Sequence, residues 1–483
     1  MSIRKSILFS SFSQYLLKII GFANVIVMAR LLSPDELGIY AIAGSVVLIA
    51  SELKLMGTAS YLVREKEVSI QKVQSGVGLS ILFSWGLGGI LALSSISLAR
   101  FFEIPELATL FQILSLNFIF APFTSVTTSL LSRELKFEKI LVVSVLTEVS
   151  RFAASITFVL YGLSYIGLAW GILVGSLVEF CLLAKMRPAL ASWRPSFIGL
   201  KPIFAFGIYS SLTNLLARFD SNTPDLIIGK FGTSAQVAFF SRGVGFLTFL
   251  TQLITSGIWP VILPYLSEVN RDGRDIKDAY TRANLLLGGI CWPVLTVAGV
   301  LSYPIIMLLF GEQWKESVPI VSILTIWGVF RIIHCLSPQL LIIMHKERLM
   351  LVKQVSLFSA TVILVYLAFP FGLTIVAWAM AVVGVLDFII SSIVVYFTIK
   401  LSIFSFIGAM WKNIFLVFTC FITTYVSTLF IDIYLVPPIF SLLIIGSLTL
   451  ITWFASLYLT KHPLLGEIVG LVKPLLTKMV QPS

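Results

Sequence analysis

Charge is what this sequence has least of: 12% of its 483 residues are Asp, Glu, Lys or Arg, about half the share found in soluble domains. With 58% hydrophobic residues and a mean hydropathy of +1.00, that shortage excludes a soluble globular fold and marks a polytopic membrane protein. Histidine and cysteine are scarce as well, three and four residues. Cys181, Cys291, Cys335 and Cys420 stand alone in apolar runs without CxxC spacing, so they read as small buried hydrophobes. Without clustered thiols or carboxylates beside the histidines, a metal site is not expected. There is no Walker A sequence and no GxGxxG, and the loops, about 15 residues at most, leave no room for a nucleotide-binding domain. Gly76-Val77-Gly78 and Gly243-Val244-Gly245 fall in or beside apolar stretches and read as helix contacts. No catalytic residue and no cofactor are expected. A cleavable signal peptide is absent from the reading too; Met1 to Ser6 is a short basic lead into the first apolar stretch.

What the chain does have is long apolar runs. A membrane span needs about 20 apolar residues, and about fourteen stretches qualify. They run 7–30, 36–56, 73–98, 107–131, 139–160 and 165–185, then 203–229, 234–264, 283–309, 318–343, 354–371 and 374–398, with a final pair at 412–431 and 438–460. Basic residues cluster in alternate connections: Arg64 to Lys72, Arg133 to Lys139, Lys185 to Lys201, Arg271 to Arg282, Lys346 to Lys353, Lys400 to Lys412, and the tail from Lys461. The opposite connections hold Arg30, Arg100, Lys230 and Lys315. The net charge of +11 is therefore a topological signal rather than a nucleic-acid one, and it places both termini in the cytoplasm. The expected fold is all-α, about 14 transmembrane helices.

A faint repeat recurs at an offset of about 200 residues: Lys18 with Arg218, Arg30 with Lys230, Tyr40 with Phe240. The offset spans six helices, an even number, so two six-helix lobes would be related by a pseudo-two-fold axis along the membrane normal. This gives an N-terminal lobe over 1–190, a C-terminal lobe over 191–401, and two additional helices with a cytoplasmic tail over 402–483. Gly167, Gly171 and Gly175 recur every fourth residue and read as a stripe for close helix approach.

Five basic residues, Lys18, Arg151, Arg218, Arg242 and Arg331, lie inside apolar stretches. Each costs about 3 kcal/mol at the bilayer centre, so some or all should face a polar interior, and a cationic interior suits an anionic cargo. On the first span Gln14, Lys18 and Asn24 share one polar face with three serines and Gly21; on the seventh, Ser210, Asn214, Arg218, Ser221 and Asp225 do the same, with Pro224 interrupting the helix. The bland alternative is that Lys18 snorkels and Arg218 pairs with Asp220 or Asp225. Glu148 and Arg151 are spaced for an intrahelical ion pair. Asp220, Asp225 and Glu148 are the candidates for a coupling proton or Na⁺. His334 stands near Arg331 as a protonatable group or a hydrogen-bonded core residue, and Asp387 lacks a partner in sequence. Pro224, Pro260 and Pro264 are hinge candidates.

Several segments resemble the polysaccharide transporter family, the flippases of lipid-linked oligosaccharides, within the superfamily that also holds the multidrug and toxin extruders. They are ARLLSPDELGIY at 29–40, LSRELKFEK at 131–139, PDLIIGK at 224–230, PVILPYLS at 260–267 and FGEQWKESVP at 310–319. Ala238-Phe239-Phe240 departs from the Gly-x-Tyr pattern that Gly38-Ile39-Tyr40 keeps. The resemblance implies a bacterial inner-membrane protein that moves an undecaprenyl-pyrophosphate-linked oligosaccharide to the outer leaflet by alternating access, alongside other polysaccharide-assembly membrane proteins. The head group would then be held by Lys18, Asn24, Arg151, Arg218 and Arg331, with Gln14, Asn214, Arg242 and His334 as lesser candidates, and transport coupled to H⁺, Na⁺ or the membrane potential. A multidrug extruder is the nearest alternative and should show an acidic or aromatic cavity. A membrane polymerase or ligase should need a larger outer loop than 99–106 or 311–317.

Overall fold

A computed structural model of the chain describes residues 3–54, 57–65 and 67–470, except for the side chains of residues 3–14, 60, 202, 205–210, 259 and 260. Among the described residues every regular element is helical. By contacts the chain divides into two compact units, Met1–Arg242 with Phe358–Pro370, and Gly243–Leu357 with Phe371–Ser483.

The first unit holds α1 (Ile3–Leu31), α2 (Pro34–Leu53), α3 (Thr58–Arg64), α4 (Ile70–Phe102), α5 (Leu107–Ser115), α6 (Asn117–Arg133), α7 (Phe137–Phe158), α8 (Ile166–Met186), α9 (Leu200–Phe231) and the start of α10 (Ser234–Thr255). The second holds the rest of α10, then α11 (Trp259–Arg271), α12 (Ile276–Val300), α13 (Ser302–Leu309), α14 (Ser317–Ile333), α15 (Ser337–Ile343), the first half of α16 (Glu347–Ala368) up to Leu357, whose second half belongs to the first unit, and then α17 (Leu373–Ile399), α18 (Ile403–Ala409), α19 (Trp411–Phe430) and α20 (Pro438–Leu459). Twelve helical segments among the described residues are long and apolar enough to cross a membrane. The two further long helices, α1 with 29 residues and α9 with 32, bring the count to the expected fourteen. Two short helices, α3 and α18, had no counterpart in the hydropathy pattern. The stretch 234–264 is also not one span: α10 stops at Thr255 and α11 starts at Trp259.

The repeat reappears as local structure. Ser33 caps α2, its Oγ accepting from the Glu36 amide at 3.3 Å while Glu36 Oε2 accepts from the Ser33 amide at 2.8 Å. Thr233 and Gln236 make the same reciprocal pair at the start of α10, at 3.3 and 3.0 Å. Each box satisfies amides that a helix start leaves orphaned. Asp35 Oδ1 also accepts from the Ala235 amide at 3.2 Å, a bond between positions 200 apart. The segment 29–40 is therefore a helix-start device as much as a family signature.

Within the first unit α2 packs on α9, α1 on α7, and α7 on α8. The glycine stripe of α8 faces α7: a Cβ on Gly171 would sit 2.0 Å from Ser155 Oγ, and one on Gly175 would sit 3.1 Å from Arg151 Cβ. That close approach fixes where Arg151 stands.

Candidate functional site

A cavity of about 590 Å³ opens within the first unit, walled by the second half of α2, the segment just after it, and parts of α6, α7, α8 and α9. Five charged side chains line it: Glu52, Lys54, Arg151, Glu179 and Arg218. Asn117 and Asn214 add amides. The wall is thus mixed in sign, three bases against two acids, rather than uniformly basic.

The two arginines are held by carboxylates. Arg218 Nε donates to Glu52 Oε1 at 2.6 Å, and Arg151 Nη1 lies 3.0 Å from Glu148 Oε1 one turn earlier on α7. Arg151 Nε is buried without a hydrogen-bond partner. Lys54 Nζ stands 5.8 Å from the centroid of the Phe118 ring, and Glu179 lies within electrostatic reach of both Lys54 and Arg151. The guanidinium nitrogens that do not meet a carboxylate, beside a lysine with no carboxylate contact among the described residues, can take the oxygens of an anionic group.

A second cavity of about 580 Å³ shares Lys54, Ala59, Ala121, Thr124 and Glu179 with the first, and extends along α6 toward Arg64. Arg133, at the end of α6, donates to the carbonyls of Leu62 and Val63, pinning α3 against α6 at this point.

The other sequence candidates lie elsewhere. The Gln14 side chain falls outside the described residues. Lys18 and Asn24, both half-buried on α1, do not line the cavity, and Asn24 Oδ1 is buried without a hydrogen-bond partner. Asp225 Oδ2 accepts from Ser45 Oγ at 3.2 Å, with Arg242 within electrostatic reach. Asp220 Oδ1 accepts from Thr361 Oγ1 at 2.5 Å. Arg218 pairs with neither aspartate but with Glu52. In the second unit Arg331 stacks over the Trp327 ring at 4.9 Å. His334 is buried, with Tyr280 Oη at 2.9 Å from Nδ1 and Ser392 Oγ at 3.0 Å from Nε2, so it is a hydrogen-bonded core residue. Asp387, unpartnered in sequence, pairs with Lys353 at 3.0 Å.

The helix α9 continues through Pro224 instead of breaking there. Side chains take over part of the carbonyl bonding just upstream: Asn222 Nδ2 donates to Arg218 O and Thr223 Oγ1 to Phe219 O, both at 2.7 Å. Pro264 lies inside α11, and Pro260 stands in its first turn, where a missing amide costs nothing. Glu52, Lys54 and Glu179 were missed. Glu179 interrupts the apolar run Leu177-Val178-Glu179-Phe180, a signal that was available; Glu52 and Lys54 sit at a span end, where charge is unremarked.

Comparison with known proteins places this geometry. A family described as polysaccharide biosynthesis protein matches residues 27–319, more than half of the chain. The chain belongs to that family. Among curated relatives, it is 22% identical over 380 residues to the teichuronic acid biosynthesis protein TuaB of Bacillus subtilis (strain 168), covering 74% of each chain. It is 26% identical over 313 residues to the succinoglycan biosynthesis transport protein ExoT of Rhizobium meliloti (strain 1021), covering 63% of this chain and 62% of that one. The lipopolysaccharide biosynthesis protein WzxC of Escherichia coli (strain K12) is 21% identical over 320 residues, 65% of this chain and 64% of that one. In fold, the chain is similar to the lipid II flippase MurJ in an inward closed conformation, with a TM-score of 0.78 and 16% identity over 95% of this chain and 100% of that one. An inward-facing multidrug resistance transporter of the MATE family, in the MOP superfamily, gives 0.67 and 16% over 81% and 100%. The chain thus shares the fold of these two transporters, as the resemblance carried by the five segments from 29–40 to 310–319 implied.

Proposed function

We propose that this protein is a flippase that carries an undecaprenyl-pyrophosphate-linked oligosaccharide from the inner to the outer leaflet of a bacterial inner membrane. The observation that carries the proposal is the grouping of Arg151, Arg218 and Lys54 in one cavity among membrane-spanning helices. A charge near the bilayer centre costs about 3 kcal/mol, so the two arginines, which lie within apolar spans, have a reason to be there only if they meet an opposite charge. Glu52 and Glu148 supply that charge to the arginines. A pyrophosphate, with more charge and more acceptor oxygens than one carboxylate, displaces them and takes the forked donors. Lobes over 1–190 and 191–401 would then alternate between access states, with Pro260 and Pro264 beside the α10–α11 break as the bending point, and Asp225, beside Ser45 and Arg242, as the site of a coupling proton or Na⁺. Nothing in this reading requires bond chemistry; the protein transports and does not catalyse.

Glu52 and Glu179 favour one competing reading, a multidrug extruder, since two carboxylates can attract an organic cation. Transport in proteoliposomes separates the two. A fluorescent polyprenyl-pyrophosphate saccharide should reach the outer leaflet with wild-type protein and much less with Arg218→Ala. Wild-type protein that leaves this lipid in place but moves ethidium would establish the extruder instead.

A further inference from the structure

We propose that the hydroxyl face of α6 is the saccharide subsite of this transporter; the proposal rests on the flippase reading above and adds where the sugars bind. On membrane helices a serine or threonine hydroxyl ordinarily donates to a carbonyl one turn back. Thr127 and Ser129 of α6 do so, each at 2.8 Å, and Thr124 at 3.4 Å. Ser125, Thr128 and Ser132 do not: among the described residues their hydroxyls reach no carbonyl and no side chain, and all three line the 580 Å³ cavity. Spaced three and four residues apart, they share one face of α6 and span about 10 Å along it. That is the reach of two linked pyranose rings rather than one.

The surroundings fit the same ligand. Glu179, for which no hydrogen bond is formed among the described residues, faces both cavities, as does Lys54. A carboxylate accepts from paired sugar hydroxyls, and the serine and threonine hydroxyls both donate and accept, so together they can satisfy a ring's alternating oxygens. Connectivity then fixes the order. The sugar is bonded directly to the pyrophosphate, so with phosphates at Arg151 and Arg218 the first sugars must occupy the adjoining space, and the adjoining space is this one. A cavity of several hundred Å³ with a few fixed polar groups is the form small-molecule sites take. It follows that these three hydroxyls and Glu179 set how the transporter discriminates among saccharides, while the arginines bind what all its substrates share.

The test uses the full-length protein in proteoliposomes with two probes, a polyprenyl pyrophosphate bearing a single sugar and one bearing an oligosaccharide of several sugars. The variant combines Ser125→Ala, Thr128→Val and Ser132→Ala; Glu179→Gln is measured beside it. The expected result is that the ratio of oligosaccharide to single-sugar transport falls at least about tenfold, the factor carried by one or two net hydrogen bonds. Residual single-sugar transport in the same vesicles shows that the variant is folded. An unchanged ratio in both variants, whether the two rates persist or fall together, overturns the subsite. If wild-type protein moves neither probe, it is the flippase reading that has failed, and the subsite falls with it.

Discussion

Glu52 Oε1 and Arg218 Nε meet at 2.6 Å across 166 positions of the chain, joining α2 to α9 on the cavity wall. The Arg218 side chain is 51% exposed, so the pair is worth about 1 kcal/mol of stability at most. On the proposed flippase reading its weight is in binding, since an incoming phosphate would have to displace Glu52 first. Glu52→Gln should therefore leave the thermal unfolding midpoint nearly unchanged while tightening binding of a polyprenyl-pyrophosphate lipid. Arg218→Ala should weaken the same binding by about tenfold or more, as loss of a charge-assisted hydrogen bond does. Titration in detergent micelles reads both. Weakening by Glu52→Gln as large as that by Arg218→Ala would show that the carboxylate assists the ligand rather than holding its place.

Gly38 permits a contact no other residue allows. A Cβ at this position would lie 1.7 Å from the carbonyl oxygen of Ser234, and that neighbour is backbone. Gly38→Ala should cost at least about 3 kcal/mol or abolish folding, because the starts of α2 and α10 would have to part. Gly44, six residues on in the same helix, has nothing within 4 Å. Gly44→Ala should stabilise by about 0.5–1 kcal/mol through helix propensity. Detergent-solubilised thermal unfolding of the two variants, side by side, checks the contrast.

The number of spans was legible because hydropathy depends on local composition alone, and so were Arg151 and Arg218, whose burial in apolar runs carries a cost visible without coordinates. The partners were not. Glu52 reaches Arg218 only because α2 packs on α9, and the apolar pattern does not say which helices touch. Lys18 shows the converse: its polar face on α1 is real in sequence, but α1 packs on α7, and Lys18 does not line the cavity that holds Arg218. The α6 hydroxyls were hidden for another reason. Serine and threonine are ordinary in membrane helices, and only the hydrogen bonds of Thr127 and Ser129 set Ser125, Thr128 and Ser132 apart.

Lys353 and Asp387 form a 3.0 Å ion pair whose side chains are only 12% and 17% exposed. Ser337 Oγ accepts from Lys353 Nζ at 3.2 Å, and Asp387 Oδ1 accepts from Ser391 Oγ at 2.9 Å. Removing one member strands the other in an apolar helix bundle. Asp387→Asn should thus destabilise by about 3–5 kcal/mol. Replacing both, Lys353→Met with Asp387→Leu, should recover most of that loss, since the desolvation cost vanishes with the charges. Unfolding of the two single variants and the double variant forms a mutant cycle. If the double variant is as unstable as the singles, the pair is not the source of the loss.

His462 gives the second unit a pH dependence whose sign follows from its bonding. It is buried just past α20; Nδ1 accepts from the Leu464 amide at 3.1 Å, which leaves the proton on Nε2 to be donated to Asn413 Oδ1 at 2.9 Å. Both nitrogens are used by the neutral ring, and Asn413 in turn donates to the carbonyl of Leu285 on α12 at 3.1 Å. Burial, with Lys412 nearby, pushes the His462 pKa down to about 4 from its usual 6.5. Because the folded value is the lower one, the unfolded chain binds the proton more readily between these limits, and stability rises with pH there. The contribution is complete above about 6.5 and drains away as pH falls toward 4, on the order of 2 kcal/mol in all. Wild-type protein should unfold at progressively lower temperature across that window, and His462→Gln should flatten the slope. A slope that survives the substitution would have to come from other groups, and the clamp of α12, α19 and the turn after α20 would not be what acid loosens.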